Sequence, residues 1–236
     1  MAKHIFIFGS PGSGKSVFSA ALAKEAAKQK KRTIIVSGDI VIPMLPFFSG
    51  NSDTVGLGLL CAGEITPQSV AESVKVIKEY PDIGVMGLQF DDYPVSITSD
   101  QLLRISKQLD EIVDLVVWDG SSDMNTVFNQ TMSENTDISV CILTADRKGF
   151  LFYENHRQMI RDKKNCFFLE GLAKPYSLYE NLHVRVGGIK GRLYYGREIE
   201  NICTEGDLFS IDKVCHESYR DIAERVILQA LKKGDE

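Results

Sequence analysis

The fold of this chain is decided by one stretch near its amino terminus, His4-Ile-Phe-Ile-Phe8-Gly9-Ser-Pro-Gly-Ser-Gly14-Lys15-Ser16. Its first part, residues 4–8, is an apolar run that predicts a buried strand. Its second part, residues 9–16, matches the pattern G-x-x-x-x-G-K-[ST] in full, and a helical spacing of apolar residues begins at Lys15. A strand, a glycine-rich turn and a helix in this order predict a loop whose backbone N–H groups, together with the helix dipole, bind phosphate.

The loop predicts a nucleotide ligand, and its residue types assign the contacts. The predicted phosphate-binding residues are Gly9, Ser10, Pro11, Gly12, Ser13, Gly14, Lys15 and Ser16. Lys15 is expected to reach the β- and γ-phosphates, and the hydroxyl of Ser16 is expected to ligate Mg²⁺. The Asn-Lys-x-Asp pattern that recognises guanine does not occur, since Thr144-Ala-Asp146 lacks the lysine. ATP with Mg²⁺ is therefore the expected cofactor pair, rather than GTP.

Two acidic residues follow apolar runs and are candidates for catalytic roles beside the loop. Asp119 ends the run 115–118, where a parallel sheet needs its Mg²⁺-holding carboxylate; the alternative is a capping or turn residue. Asp39 closes the second predicted strand, where it could orient the attacking water or bind the water shell of the metal; the alternative is a turn residue before a long loop. We therefore assign Lys15, Asp39 and Asp119 to catalysis, and Ser16 and Asp119 to the metal.

Composition narrows the class of protein. The chain has 236 residues, 27 Lys and Arg against 32 Asp and Glu, a formal net charge of −5, and 44% hydrophobic and 25% charged residues. These values exclude a disordered chain, a collagen-like repeat and a small disulfide scaffold. The 5 cysteines form no C-x-x-C pair, which predicts free thiols in a reducing compartment, the cytoplasm. No apolar stretch is long enough for a bilayer and the early strand leaves no room for a signal peptide, so no integral membrane segment is expected.

Apolar runs and helical spacings alternate along the rest of the chain. Further strands are predicted at residues 33–36, 83–88, 112–118, 138–143, 166–169 and 183–188. Helices are predicted from Lys15 onward and at residues 68–80, 100–109, 149–161 and 214–231, with a loop-rich stretch at residues 40–67. Continuous apolar strands that alternate with helices indicate a parallel sheet covered on both faces. The expected fold class is α/β, a doubly wound and mostly parallel sheet with helices on both faces, in one P-loop NTPase domain over residues 1–236.

The combination of these motifs resembles the MinD/ParA family of P-loop ATPases over nearly the whole chain. The resemblance rests on residues 9–16, Asp39, residues 57–60 with 66–80, residues 115–120, residues 138–144, and residues 196–200 with Glu205-Gly206. Within the family, the pilus-localisation and secretion branch, TadZ/CpaE-like, is the most similar. The resemblance implies a switch in which Mg-ATP binding drives the formation of a homodimer, and the homodimer recruits a protein partner.

Several departures from the family pattern bear on hydrolysis and on recognition of the base. Ser10, followed by Pro11, stands where the family has a signature lysine that reaches the nucleotide of the other subunit. Without that lysine, stabilisation of the transition state in trans is missing or supplied otherwise, and hydrolysis could be slow or absent while binding persists. Glu170-Gly171 stands where the family has an adenine-side Asn, and Leu193-Tyr-Tyr195 replaces a later proline motif. Tyr195 is a candidate for stacking on the base, with a core or surface tyrosine as the alternative.

Two helical segments bear on the choice of partner. The segment 147–164 contains six basic residues but only two acidic ones, Glu154 and Asp162. The basic residues are Arg147, Lys148, Arg157, Arg161, Lys163 and Lys164. This segment could contact DNA phosphates or form a solvated helix face, and the acidic balance of the chain favours a protein partner over DNA. The C-terminal helix is predicted to pack on the sheet, because it lacks the cationic stripe flanked by Trp or Phe of a membrane-binding helix.

Three functions are compatible with the sequence. The main hypothesis is a dimeric, ATP-binding and ATP-hydrolysing switch that positions or regulates a partner protein or assembly. The second is a small-molecule or nucleotide kinase, for which Arg157 and Arg161 are the only clustered candidates for an arginine-bearing lid. The third is a catalytically silent nucleotide-binding scaffold, because Ser10 replaces the family's lysine. No His or Cys set has the spacing of zinc ligands, so no zinc site is expected.

Overall fold

Most of the apolar runs of the sequence form a single sheet in the computed structural model of the protein, which describes residues 1–44, 48, 56–89, 96–161, 165–174, 178–206, 208–213 and 217–232. The strands are β1 (Lys3–Gly9), β2 (Thr33–Ser37), β3 (Lys75–Ile77), β4 (Tyr80–Gly87), β5 (Leu115–Asp119), β6 (Ile138–Thr144), β7 (Cys166–Ala173) and β8 (Gly191–Tyr194). Their order is β3-β4-β2-β5-β1-β6-β7-β8. Neighbouring strands are parallel, except that β3 is antiparallel to β4.

Helices cover both faces of this sheet, which confirms the predicted doubly wound α/β class. They are α1 (Lys15–Lys28), α2 (Leu57–Ala62), α3 (Pro67–Glu72), α4 (Ser99–Ile112), α5 (Val127–Glu134), α6 (Arg147–Arg161), α7 (Tyr179–Val186), α8 (Arg197–Glu205) and α9 (Glu217–Lys232). A 3-10 helix, Leu208–Lys213, precedes α9. Buried side chains of α1, α8, the 3-10 helix and α9 share one core with the strands. Those of α2 to α7 form a second core on the opposite face. Two buried faces explain why the strands read as continuous apolar runs.

The C-terminal helix packs on the sheet, as the sequence predicts. Ile222, Val226 and Ala230 of α9 are buried in the same core as Ile7 of β1. Residues 214–216, where this helix was expected to begin, lie outside the described residues. Within the part of the chain that the structure describes, no helix combines the length and the apolar character needed to cross a membrane.

Strand order decides which residues meet at the carboxyl edge of the sheet. β1 lies between β5 and β6, and β5 lies between β1 and β2. Asp119, the last residue of β5, is level with Ile7 of β1 and with Ser37 of β2. The loop after β1, Asp119 and the residues that follow β2 therefore share one edge, which is where ligands bind in open parallel sheets.

The prediction of a strand at residues 183–188 is wrong, because these residues belong largely to a helix. α7 runs to Val186 and is followed by Gly187, whose φ of 79° is left-handed. Leu182 and Val186 are buried one turn apart, so a helical apolar face outweighs the β-branched residues of this short run. The place in the sheet belongs instead to β8, which the sequence analysis missed because the strand is short and polar residues interrupt it.

The helix predicted at residues 68–80 is correct only as far as Glu72. A capping box between Thr66 and Ser69 starts α3, and β3 then forms an antiparallel hairpin with β4. β-branched residues in the run 74–77 favour a strand over the continued helix. Helices α2 and α5 were not predicted, whereas the family resemblance of residues 196–200 implied the short acidic helix α8. β5 begins at Leu115 rather than at residue 112, which still belongs to α4.

The capping box of α4 should contribute measurably to stability. Thr98 Oγ1 accepts a hydrogen bond from Gln101 N at 3.3 Å, and Gln101 Oε1 accepts one from Thr98 N at 2.8 Å. We expect Thr98→Ala to lower the free energy of unfolding by about 1 kcal/mol in a urea titration, because Gln101 N loses its side-chain acceptor. Thr98→Ser keeps the hydroxyl and serves as the control. Equal stability of the alanine variant and the wild type would contradict this contribution.

Candidate functional site

The phosphate loop is held against the neighbouring strand β6. Ser10 N donates a hydrogen bond to the carbonyl oxygen of Ile142 at 3.0 Å. A Cβ added to Gly9 would lie 1.8 Å from that same oxygen, so a side chain there would push the loop off the sheet. Gly14, at the N-cap of α1, has a φ of 86°, which glycine adopts without steric cost. The loop thereby places the amino end of α1, with its positive dipole, at the carboxyl edge of the sheet.

Ser16 and Asp119, which are predicted from distant parts of the chain, are in direct contact. The hydroxyl of Ser16 donates a hydrogen bond to Asp119 Oδ2 at 2.8 Å. Ser19 donates to Asp119 Oδ1, also at 2.8 Å. The sequence analysis missed Ser19, although its i+3 spacing from Ser16 places both hydroxyls on one face of α1. Two serines of α1 therefore hold both oxygens of the carboxylate at the end of β5.

Lys15 lies beside the same carboxylate and donates to two neutral oxygens. Its Nζ is 2.7 Å from Ser122 Oγ and 3.3 Å from the carbonyl oxygen of Ser10. Burial lowers the pKa of Lys15, and the charges of Asp119 and Asp39 partly offset that effect. An ammonium removed from water in this way gains strongly from an anionic ligand.

Asp119 is almost fully buried, at 1% exposure. Burial raises its pKa from 3.8 to about 6, against the hydrogen bonds from Ser16 and Ser19 and the charge of Lys15, while the charge of Asp39 raises it further. The groups around Asp119 therefore stabilise its negative charge less well than water does. A cation beside it would favour the ionised form, which is the property required of a metal ligand.

Asp39 lies two residues beyond β2 and is half-buried. Its Oδ1 accepts hydrogen bonds from Val41 N at 2.9 Å and from Ile42 N at 3.1 Å, so this oxygen closes a turn. The carboxylate also acts electrostatically on Lys15 and Asp119, which places it at the same edge of the sheet. The turn interpretation is confirmed for one oxygen, and the water-positioning role stays a prediction.

Ser10, at the position of the family's signature lysine, has its side chain enclosed in the protein. It is fully buried, and its Oγ accepts a hydrogen bond from Thr144 N at 3.0 Å and lies 3.3 Å from Thr144 Oγ1. This hydroxyl therefore joins the loop to the end of β6.

Asp146 lies in the segment closest to a guanine-recognition motif, but it caps a helix. Its Oδ1 accepts hydrogen bonds from Lys148 N at 2.9 Å, from Gly149 N at 3.0 Å and from Thr144 Oγ1 at 2.7 Å. These contacts satisfy the first turn of α6. The carboxylate is thereby engaged with the amino end of its own helix.

The end of β7 forms a further wall of the phosphate loop. A Cβ on Gly171 would lie 2.0 Å from the carbonyl oxygen of Ser13, so the strand and the loop touch there. Glu170, which stands in place of the family's adenine-side Asn, is fully buried and ion-paired with Arg192. One oxygen of its carboxylate, Oε2, is thus engaged inside the fold.

Tyr195 lies at the carboxyl edge shared with the phosphate loop. It follows β8, and its N donates a hydrogen bond to the carbonyl oxygen of Ala173, the last residue of β7, at 3.2 Å. Its half-buried ring lies 5.1 Å from Lys174 Nζ, in a cation–π contact. Stacking of this ring on a nucleotide base stays a prediction.

The donor set suits Mg²⁺ better than a metal held by protein ligands alone. In the described ranges, no group of three or more His, Cys, Asp and Glu side chains could hold a metal ion. The hydroxyl of Ser16 and the carboxylate of Asp119 are hard oxygen ligands in contact with each other. Mg²⁺ binds through one or two such protein ligands and takes the rest from phosphates and water, so these residues fit it.

The basic segment at residues 147–164 is described only in part, because residues 162–164 lie outside the described residues. Arg147 and Lys148 are exposed at the start of α6. Arg157 is half-buried in the middle of this regular helix, with its Nε enclosed. A regular helix is unlike a lid, so the position of Arg157 does not favour the kinase hypothesis.

Comparison with known proteins places this geometry in a known fold. No protein-family model matches the chain, and none of the curated proteins is similar enough to match it. Among solved structures, the septum site-determining protein MinD complexed with Mg-ADP from Pyrococcus horikoshii OT3 has a TM-score of 0.78 at 14% identity, over 96% of this chain and 96% of that chain.

Two further structures give the same result. The ParA family ATPase from Chlorobium tepidum TLS has a TM-score of 0.76 at 14% identity, over 94% of this chain and 98% of that chain. A chain of the MinC:MinD cell division protein complex from Aquifex aeolicus has a TM-score of 0.75 at 13% identity, over 95% of this chain and 95% of that chain. The chain therefore has the fold that the MinD and ParA ATPases share.

Proposed function

We propose that this chain is a single-domain, nucleotide-dependent switch, which binds Mg-ATP, forms a homodimer and then positions or regulates a protein partner. The observation that carries the proposal is the complete phosphate loop with Ser16 and Asp119 in contact at 2.8 Å. A hydroxyl and a carboxylate at this place are the protein ligands that Mg²⁺ takes in phosphate-loop proteins, with Lys15 on the phosphates. When bound, the ion neutralises charge on the phosphates.

An apolar segment beside the site supports the homodimer. Ile40, Val41 and Ile42 are 46%, 77% and 55% exposed, and they directly follow Asp39 at the nucleotide edge of the sheet. A cluster of exposed apolar side chains at one place favours a protein contact. The MinC:MinD complex of Aquifex aeolicus supports a protein partner by analogy of fold.

Hydrolysis is expected to be slow without a partner. Asp39 is the candidate for positioning the attacking water, and Tyr195 the candidate for contacting the base. The side chain of Ser10 is hydrogen-bonded to Thr144. The positive charge that stabilises the transition state must therefore come from another group. A steady-state ATPase assay separates the switch from a silent scaffold, because measurable turnover excludes the scaffold.

The expected location is the cytoplasm, with a protein rather than DNA as the partner. Among the described residues, Cys61, Cys141 and Cys166 form no disulfide, and the first two of them are buried. Cysteines that form no disulfide fit a reducing compartment. The net charge of −5 opposes binding to nucleic acid, although the segment 147–164 leaves DNA as a second candidate. The TadZ/CpaE-like branch stays a prediction.

Sedimentation velocity tests the switch. The 26.3 kDa chain should sediment as a monomer with Mg-ADP and as a species of about twice that mass with a non-hydrolysable Mg-ATP analogue. Val41→Asp should bind the analogue in calorimetry but stay monomeric, since a charge in an apolar contact is costly. A monomer at saturating analogue would contradict the homodimer, and the absence of any binding would contradict the nucleotide.

A further inference from the structure

Ser122 contacts Lys15, although neither the phosphate-loop motif nor the acidic strand ends point to it. The hydrogen bond from Lys15 Nζ to Ser122 Oγ is 2.7 Å, shorter than the 3.3 Å from Nζ to the carbonyl oxygen of Ser10. Ser122 is half-buried, so its hydroxyl is not sealed inside the core. Because the oxygen accepts a hydrogen bond from the ammonium, its own proton remains available for donation. An anion that meets Lys15 on this side therefore meets a second donor.

The loop that carries Ser122 is held in place by Asn129. This amide is fully buried. Its Nδ2 donates hydrogen bonds to the carbonyl oxygens of Ser121 at 3.0 Å and Asp123 at 2.8 Å, and its Oδ1 accepts one from Ser121 N at 3.2 Å. Gly120 has no room for a side chain, since a Cβ there would lie 2.5 Å from Asn129 Oδ1. The residues on both sides of Ser122 are thus fixed, so its hydroxyl is already positioned before a ligand binds.

The direction from which Ser122 approaches Lys15 indicates which phosphate it would meet. The loop 9–16 follows β1 and would surround the phosphates from that side, whereas Ser122 follows the end of β5, three residues after Asp119. Asp119 and Ser16 would hold Mg²⁺, which would supply positive charge to the β- and γ-phosphates. A donor from the same strand end is therefore directed to the terminal phosphate.

We propose that Ser122 donates a hydrogen bond to the terminal phosphate of the bound nucleotide and makes the site discriminate nucleoside triphosphate from diphosphate. This inference rests on the proposed nucleotide binding. Lys15 and Ser122 act as a donor pair, and Asn129 is the positioning residue that holds the serine. Discrimination at this point is what a switch requires, since only the triphosphate has the group that Ser122 contacts.

The test compares two affinities of the full-length protein. Calorimetry with Mg-ADP and with a non-hydrolysable Mg-ATP analogue is carried out on the wild type, Ser122→Ala and Ser122→Thr. Ser122→Ala should bind the ATP analogue about tenfold more weakly and Mg-ADP within about twofold of the wild type, because one hydrogen bond to a charged group is lost. Ser122→Thr keeps the hydroxyl and should retain the wild-type ratio.

Each outcome decides the inference. An unchanged ratio of the two affinities, whether both fall equally or neither falls, overturns the role of Ser122. Either result leaves the proposed nucleotide binding intact. No binding of either nucleotide by the wild type overturns the proposed function, and this inference with it. If Ser122→Ala does not fold, Ser122→Val and Ser122→Thr supply the same contrast, since they match in shape and differ in the hydroxyl.

Discussion

Replacing Lys15 with alanine should weaken the binding of Mg-ATP by about a hundredfold or more. The ammonium is the main positive side-chain charge that the loop offers to the phosphates, and Lys15 lies half-buried near Asp119. A hydrogen bond to a charged group contributes about 1.5–3 kcal/mol, and Lys15 is expected to make two of them, to the β- and γ-phosphates. Isothermal titration calorimetry with Mg-ATP measures the loss.

The same substitution should not destabilise the fold. Burial lowers the pKa of Lys15, which means that folding already pays to remove the charged ammonium from water. The control is Lys107→Ala, which removes an equal charge from an exposed position of α4 and should leave binding unchanged. Wild-type affinity in the Lys15 variant, or an equal loss in the Lys107 variant, would remove the basis for the proposed site.

Replacing Asp119 with asparagine should stabilise the metal-free protein at pH 8 by about 3 kcal/mol and weaken Mg-ATP binding. Burial raises the pKa of Asp119 from 3.8 to about 6. The folded protein therefore holds this proton more tightly than the unfolded chain does. Stability that comes from the protonated carboxyl is fully present below about pH 4 and is lost as the pH rises through about 6.

Asparagine avoids that loss because it does not ionise. Its Oδ1 can accept from one of the serines that contact Asp119, and its amide can donate to the oxygen of the other, so the contacts with Ser16 and Ser19 have replacements. Urea titrations in the presence of a chelator, at pH 4, 6 and 8, should show a gain that is absent at pH 4 and largest at pH 8. With Mg-ATP the order should reverse, since only the carboxylate supports the metal.

Asp82→Asn is the matched control, because Asp82 is exposed on β4 at a distance from the site. It should change stability little at any of the three pH values. A gain in stability of the Asp119 variant that does not depend on pH, or a loss of stability at pH 8, would contradict the cost assigned to ionising the buried carboxylate. A stabilised but inactive variant would instead show that the free site gives up stability for metal binding.

The candidate site was predicted where short-range patterns carry the chemistry. The residues 9–16 and Lys15 follow from a motif, and Asp119 follows from an acidic residue after an apolar run, because both depend on local order along the chain. Ser122 and Asn129 were not predicted. Their contacts join residues that are 107 and 8 positions apart, and no spacing in the sequence marks a serine after β5 that meets a lysine at the start of α1.

The fold shows the same division. Long apolar runs predicted the central strands, since two buried faces leave such a strand few polar positions. Residues 183–188 could not be assigned in this way, because a short apolar run suits a helix or a strand. The burial of Leu182 and Val186 in the second core is what favours the helix. The hairpin of β3 and β4 likewise depends on the pairing of the two strands, which adds to the β-propensity of the run 74–77.

The sequence by itself determined that this chain has a phosphate loop in an α/β fold and an acidic strand end to go with it. Only the tertiary structure decided which groups share the site. The strand order brings Asp119 against Ser16 and Ser19, and burial then shifts its pKa. The same order directs Ser10 into the end of β6 rather than outward. The physical reason is that burial and distant hydrogen bonds, which set charge and orientation, exist only once the strands have assembled.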